Sequence, residues 1–128
     1  MKIATILPYK ENYTVSKAQA AAIWVSDFYK FSKFRNNTFI YGNTSTKDYL
    51  TKNYVNIGIN NLRTKFTSTT KEYCDNFIKK TKNKKFDIIE IHNRPEVFNL
   101  LKNNFNSKFV LYFHNDPLSM YGSKSAKE

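Results

Sequence analysis

Short apolar runs alternate with longer amphipathic ones along this chain, and two of the apolar runs end alike. Residues 86–91 and 109–113 are mostly apolar and of strand length. Each stops at a His-Asn pair, His92-Asn93 and His114-Asn115, with a proline within the next two residues. Between them, Arg94 to Phe105 carries Val97, Leu100, Leu101 and Phe105 at helical spacing. Pro95 and Glu96 open that helix, where a missing N–H costs nothing and a carboxylate suits the dipole. A strand, a helix and a second strand of these lengths form a βαβ unit, whose strands are parallel. Both strand ends, and with them both histidines, are thereby predicted on one edge of a sheet. In open α/β folds that is the edge where ligands bind.

The rest of the pattern extends this unit. Lys2 to Leu7 reads as a strand buried on both faces. After a polar loop, a helix is predicted to start near Thr14 or Ser16, either of which can cap it. Its apolar stripe is Ala18, Ala21, Ala22, Val25, Phe28 and Tyr29, widened by Ile23 and Trp24. Thr38–Tyr41 reads as a second strand stopped by Gly42-Asn43, and Tyr54–Ile59 as a third, interrupted by Gly58. A helix follows from about Thr70 to Lys82, with Tyr73, Phe77 and Ile78 inward. The order β-α-β-β-α-β-α-β predicts a single Rossmann-like domain over residues 1–128, α/β in class, with a doubly wound, mainly parallel sheet. After Pro117 the periodicity fades. The last strand would be expected to hand over to a further helix. Either the sheet ends on an uncovered strand, or this is the front portion of a longer protein.

Composition adds bounds rather than a function. An apolar fraction of 41% with 16% aromatics excludes a disordered chain. The net charge of +11 suggests an anionic partner: nucleic acid, a phosphorylated ligand or a membrane surface. The lysines are dispersed except for Lys79, Lys80, Lys82, Lys84 and Lys85, at the end of a predicted helix. That cluster reads as a solvated helix C-terminus or as an attraction for anionic lipid head groups. The lone Cys74 excludes an intrachain disulfide, fits a reducing compartment and, beside Tyr73 and Phe77, reads as a packed thiol. No segment has the apolar core of a signal peptide or the ~20 residues of a membrane span, so a cytoplasmic location is expected.

Several familiar chemistries are missing. No G-x-G-x-x-G follows the first strand, no phosphate-loop motif occurs, and no His/Cys/carboxylate set has zinc spacing. Neither a metal nor a cofactor is therefore expected. What remains is the sheet edge, with His92, Asn93 and Arg94 after one strand and His114, Asn115 and Asp116 after the other. His and Asn donate and accept, Asp accepts from paired hydroxyls, and Arg clamps a phosphate, a set suited to a hydroxyl-rich ligand. Asn93 can also cap the helix behind it.

These elements resemble a family. Lys2–Pro8, the run from Phe86 through His92-Asn93-Arg94-Pro95, and Phe109 through His114-Asn115-Asp116-Pro117 with Met120 and Gly122 are similar to the N-terminal domain of family-four glycosyltransferases of the GT-B fold. Those are retaining, metal-independent enzymes, many of which build lipopolysaccharide or other surface glycans. The resemblance implies a hexosyltransferase-like activity in which the N-terminal domain binds a glycan or lipid-linked acceptor. A C-terminal domain binds the nucleotide-sugar, which is donor substrate and not cofactor. It implies that His114 is catalytic and faces the donor sugar, with His92, Asn93, Arg94, Asn115 and Asp116 on the acceptor side. The Tyr9–Gln19 loop matches one that usually carries paired glycines near the donor phosphates; here Asn12, Ser16 and Lys17 occupy it. The resemblance covers the first third of such an enzyme, so this chain alone is expected to be inactive, working cytoplasmically at the inner face of a membrane. A non-catalytic module for a glycan or sugar phosphate is the alternative. Nucleic-acid binding lacks both a motif and a basic stripe with interleaved aromatics.

Overall fold

The computed structural model describes residues 1–116; Pro117, Met120 and Gly122 lie outside the described residues. Strands β1 (Ile3–Ile6), β2 (Thr38–Gly42), β3 (Tyr54–Asn56), β4 (Ile88–His92) and β5 (Lys108–Tyr112) form one sheet in the order β3-β2-β1-β4-β5. Every pairing is parallel. Helices α1 (Ala20–Phe31), α2 (Thr69–Lys80) and α3 (Pro95–Leu101) supply three of the crossovers, the loop of residues 43–53 joins β2 to β3, and the order along the chain is the one the hydrophobic pattern predicts. This is a Rossmann-like, doubly wound α/β fold.

The winding reverses at β1. Right-handed crossovers put α1 on one face and α2 with α3 on the other. The apolar clusters agree: Ala22 and Val25 pack with Leu7 and Ile40, whereas Tyr73, Phe77, Val97 and Leu101 pack with Ala4, Ile6, Ile89 and Ile91. β1 and β4 are therefore neighbours whose following helices leave in opposite directions. That junction is a topological switch point, where a crevice opens outside the strand ends.

Boundaries differ from the sequence reading in instructive places. The first helix begins at Ala20, not at Thr14 or Ser16. Thr14 does cap, but only a single turn: its Oγ1 accepts from Lys17 N, and its backbone bridges to Tyr49. The loop carrying Thr14 is held by the β2–β3 connection, with Val15 N donating to Asp48 O and Leu50 N to Tyr13 O. Tertiary pairing thus wins over the local capping signal. On α1 itself, Ile23 and Phe28 are 49% and 57% exposed rather than part of the buried stripe. β3 ends at Asn56, before Gly58 turns the chain at φ 78°. α3 stops at Leu101, four residues short of Phe105, where the run of asparagines turns and Asn104 N donates to Leu101 O.

One bond fixes the end of β1. Tyr73 Oη, wholly buried on α2, donates to Leu7 O at 2.6 Å, across 66 residues of sequence. It anchors the backbone that leads into the crevice. Cys74 beside it is buried as predicted, and burial pushes its thiol up to about 12, so it is inert at neutral pH.

Candidate functional site

Strand alternation sorts the end of β4. Ile89 and Ile91 face α2 and α3, so Glu90 and His92 share the opposite face, two residues apart. Glu90 Oε1 meets His92 Nε2 in a close contact, and His92 Nδ1 lies 2.7 Å from His114 Nε2. The sequence places both histidines on one edge; the structure joins them into a chain, Glu90–His92–His114. With Glu90 ionised, His92 Nε2–H donates to it, His92 Nδ1 accepts from His114 Nε2–H, and His114 Nδ1 is left as the outer acceptor.

Aromatic rings wall this chain. Tyr112 stands opposite His92 in the sheet register and stacks on it at 5.2 Å, while Trp24 of α1 lies 4.5 Å from Tyr112 and 5.4 Å from His114. His92 is fully buried; His114 is half-buried. Burial, and then the electrostatic influence of the neighbouring His92, hold the His114 pKa below the ordinary 6.5; Glu90 opposes them. The neutral imidazole is thus the favoured form of His114.

The polar crevice lies beside this wall. At the switch point, Pro8, Lys10 and Glu11 after β1, Gln19 ahead of α1, Asn93 and Arg94 after β4, and Asn115 after β5 line a cleft of about 320 Å³. Asn93 ties cleft to histidine: its Oδ1 accepts from His114 N at 2.7 Å, and its own N–H donates to Tyr112 O. To do so it takes φ 56°, a left-handed conformation that Asn tolerates better than most side chains. Glu11 is hydrogen-bonded by the Ala22 amide in the first turn of α1, and burial raises its pKa above 4.5 against that bond. Arg94 sits over the Tyr9 ring at 5.8 Å. Both residues leave a buried polar atom without a partner, Glu11 Oε2 and Arg94 Nε. Such orphans cost stability unless a ligand or water meets them.

The predicted residues divide accordingly. Asn93, Arg94 and Asn115 line the cleft, and His114 is held to it through Asn93. His92 is enclosed, with a partner at each nitrogen, and Asp116 is exposed beyond Asn115. Asn12, Ser16 and Lys17 turn instead to the β2–β3 loop. Asn12 Oδ1 accepts from Ser45, Ser16 N donates to Asp48, and Lys17 Nζ donates to Ser45 Oγ. None of the three is among the cleft's lining residues. The Thr46 and Ser16 hydroxyls hold the Asp48 carboxyl down to about 2.

The sequence reading passes over Lys10, Glu11 and Gln19 in the cleft, and Glu90, Trp24 and Tyr112 around the histidines. Glu90 carries a usable signal, because period two puts it on the same face as His92. Glu11 carries none, since its loop has no periodicity. Among the described residues no three His, Cys, Asp or Glu side chains converge as a metal site. No known protein family matches the chain, and no curated protein sequence is significantly similar to it.

Proposed function

We propose that the cleft receives a hydroxyl-rich, negatively charged sugar as the acceptor side of a retaining glycosyl transfer. The observation that carries the reading is a pair of unpartnered buried atoms, Glu11 Oε2 and Arg94 Nε, on two side chains that line one polar cleft at the switch point. Arg94 and Lys10 meet the anionic group, Glu11 accepts from a hydroxyl, and the Asn93 and Asn115 amides fix orientation. His114, kept neutral and aimed by the Glu90–His92 chain, hydrogen-bonds the reacting sugar; His92 and Glu90 act through it as positioning residues. The nucleotide-sugar is held by a separate donor domain, and the setting is the cytoplasmic face of a membrane, where surface glycans are built.

Isothermal titration of the 128-residue chain with a hexose phosphate and with the free hexose tests the anion clamp. A charge-assisted bond is worth roughly 1.5–3 kcal/mol, so Arg94→Ala should erase a preference for the phosphate of about tenfold or more. Glu11→Gln should weaken both sugars alike. Equal affinities for the two sugars in the native chain would contradict the clamp. A non-catalytic sugar-binding module is favoured by one feature, that the cleft is assembled wholly from the β1, β4 and β5 ends of a single domain. Sugar binding without transfer when a donor domain is supplied separately would select it.

A further inference from the structure

The net charge is not spread over the surface. In a parallel sheet every strand starts at one edge, and each crossover helix ends there. Lys2 precedes β1; Lys30, Lys33 and Arg35 lie between the last turn of α1 and β2; Lys52 precedes β3. The last turn of α2 and its loop to β4 add five lysines between residues 79 and 85, and Lys102 and Lys108 bracket the α3–β5 connection. All twelve are exposed, out of 21 in the protein, and only two carboxylates, Asp27 and Asp87, share the edge. Those two are engaged: Asp87 accepts from the Lys2 amide, and Asp27 pairs with Lys30 at 3.8 Å. The other described residues carry seven cations and seven carboxylates and are neutral as a set. Within this field Phe31, the last residue of α1, is 90% exposed, and Met1 is 58% exposed.

We infer that the strand-start edge docks on an anionic lipid surface, its lysines at the head groups and Phe31 in the interface, with the cleft on the opposite edge facing water. Eleven of the twelve cations are lysines, compact hydrated charges that attract a lipid surface without leaving water. A nucleic-acid reader relies instead on arginine forks and open aromatic platforms. Here Lys33 lies over the Phe34 ring at 5.1 Å and Lys84 over the Phe39 ring at 5.0 Å, so Phe31 stands open as one ring rather than as part of a row of platforms. Strands of up to five residues hold the cleft on the order of 20 Å from the surface, so its ligand arrives from water or on an extended chain. The inference is independent of what the cleft binds.

Co-sedimentation of the whole chain with phosphatidylcholine vesicles, with and without about 30% phosphatidylglycerol, tests it at low and high salt. Binding is expected only to the anionic vesicles and should fall at least about tenfold between about 50 and 500 mM salt. Combined Lys33→Gln, Lys84→Gln and Lys85→Gln should weaken it by on the order of a hundredfold. Lys17→Gln, Lys47→Gln and Lys65→Gln together, on the rest of the surface, should change it about twofold. Phe31→Ser should weaken it severalfold with the salt dependence kept. No binding to anionic vesicles at low salt, equal losses in the two triple variants, or tighter binding to duplex DNA than to vesicles would each overturn the inference.

Discussion

His92 is enclosed on all sides, and its two nitrogens face a carboxylate and a second imidazole. Of its two ring partners, His114 is the one that leads toward the cleft, through Asn93. That makes the protonation state of His114 the residue-level quantity to measure. Its depressed pKa means that the neutral ring is the form the fold stabilises. The contribution is fully present above the ordinary value of 6.5 and is lost as pH falls through the lowered value. His92→Gln removes the electrostatic influence of the neighbouring imidazole while keeping an amide to pair with His114. Imidazole NMR titration should then show the His114 pKa rise yet stay below 6.5, because burial is the larger cause. A fall on substitution would contradict the assigned charge interaction. The two histidines are legible in the sequence as strand-end residues, but their direct contact is not. It depends on Tyr112 and Trp24 closing around them and on Asn93 entering the left-handed region to hold the His114 amide.

Element by element, hydrophobic periodicity was a sound guide wherever a segment packs on the sheet. β1, β2, β4, β5 and α2 come within two residues of the predicted bounds, since their apolar positions fill one or both faces of a single layered core. The signal failed where polar loops bind each other. The helix expected at Thr14 gives way to pairing with residues 43–51, and Asn12, Ser16 and Lys17, expected near phosphates, are spent on Ser45 and Asp48. Nothing local in the sequence announces contacts some thirty residues apart. The same is true of the bond from Tyr73 to Leu7 O, which joins α2 to the end of β1. Tyr73→Phe should leave that buried carbonyl unpaired and cost about 1–3 kcal/mol in chemical denaturation. It should also loosen amide exchange at Leu7 and the residues leading to the cleft. An unchanged midpoint would show that the bond does not anchor β1.

At the scale of the whole molecule, the fold separates two kinds of surface. The strand-start edge holds most of the excess positive charge; the strand-end edge holds a cleft lined by two cations and one carboxylate, two of which carry a buried atom without a partner. A negatively charged sugar is therefore offered two quite different surfaces, and where it binds is the deciding fact. Backbone amide chemical-shift mapping during titration with a hexose phosphate distinguishes them. Shifts are expected at Lys10, Glu11, Asn93, Arg94 and Asn115, saturating together and requiring about tenfold more ligand or more in Arg94→Ala, with the segment from Lys79 to Lys85 unmoved. Shifts confined to that lysine segment and insensitive to Arg94→Ala would contradict the cleft as the sugar site.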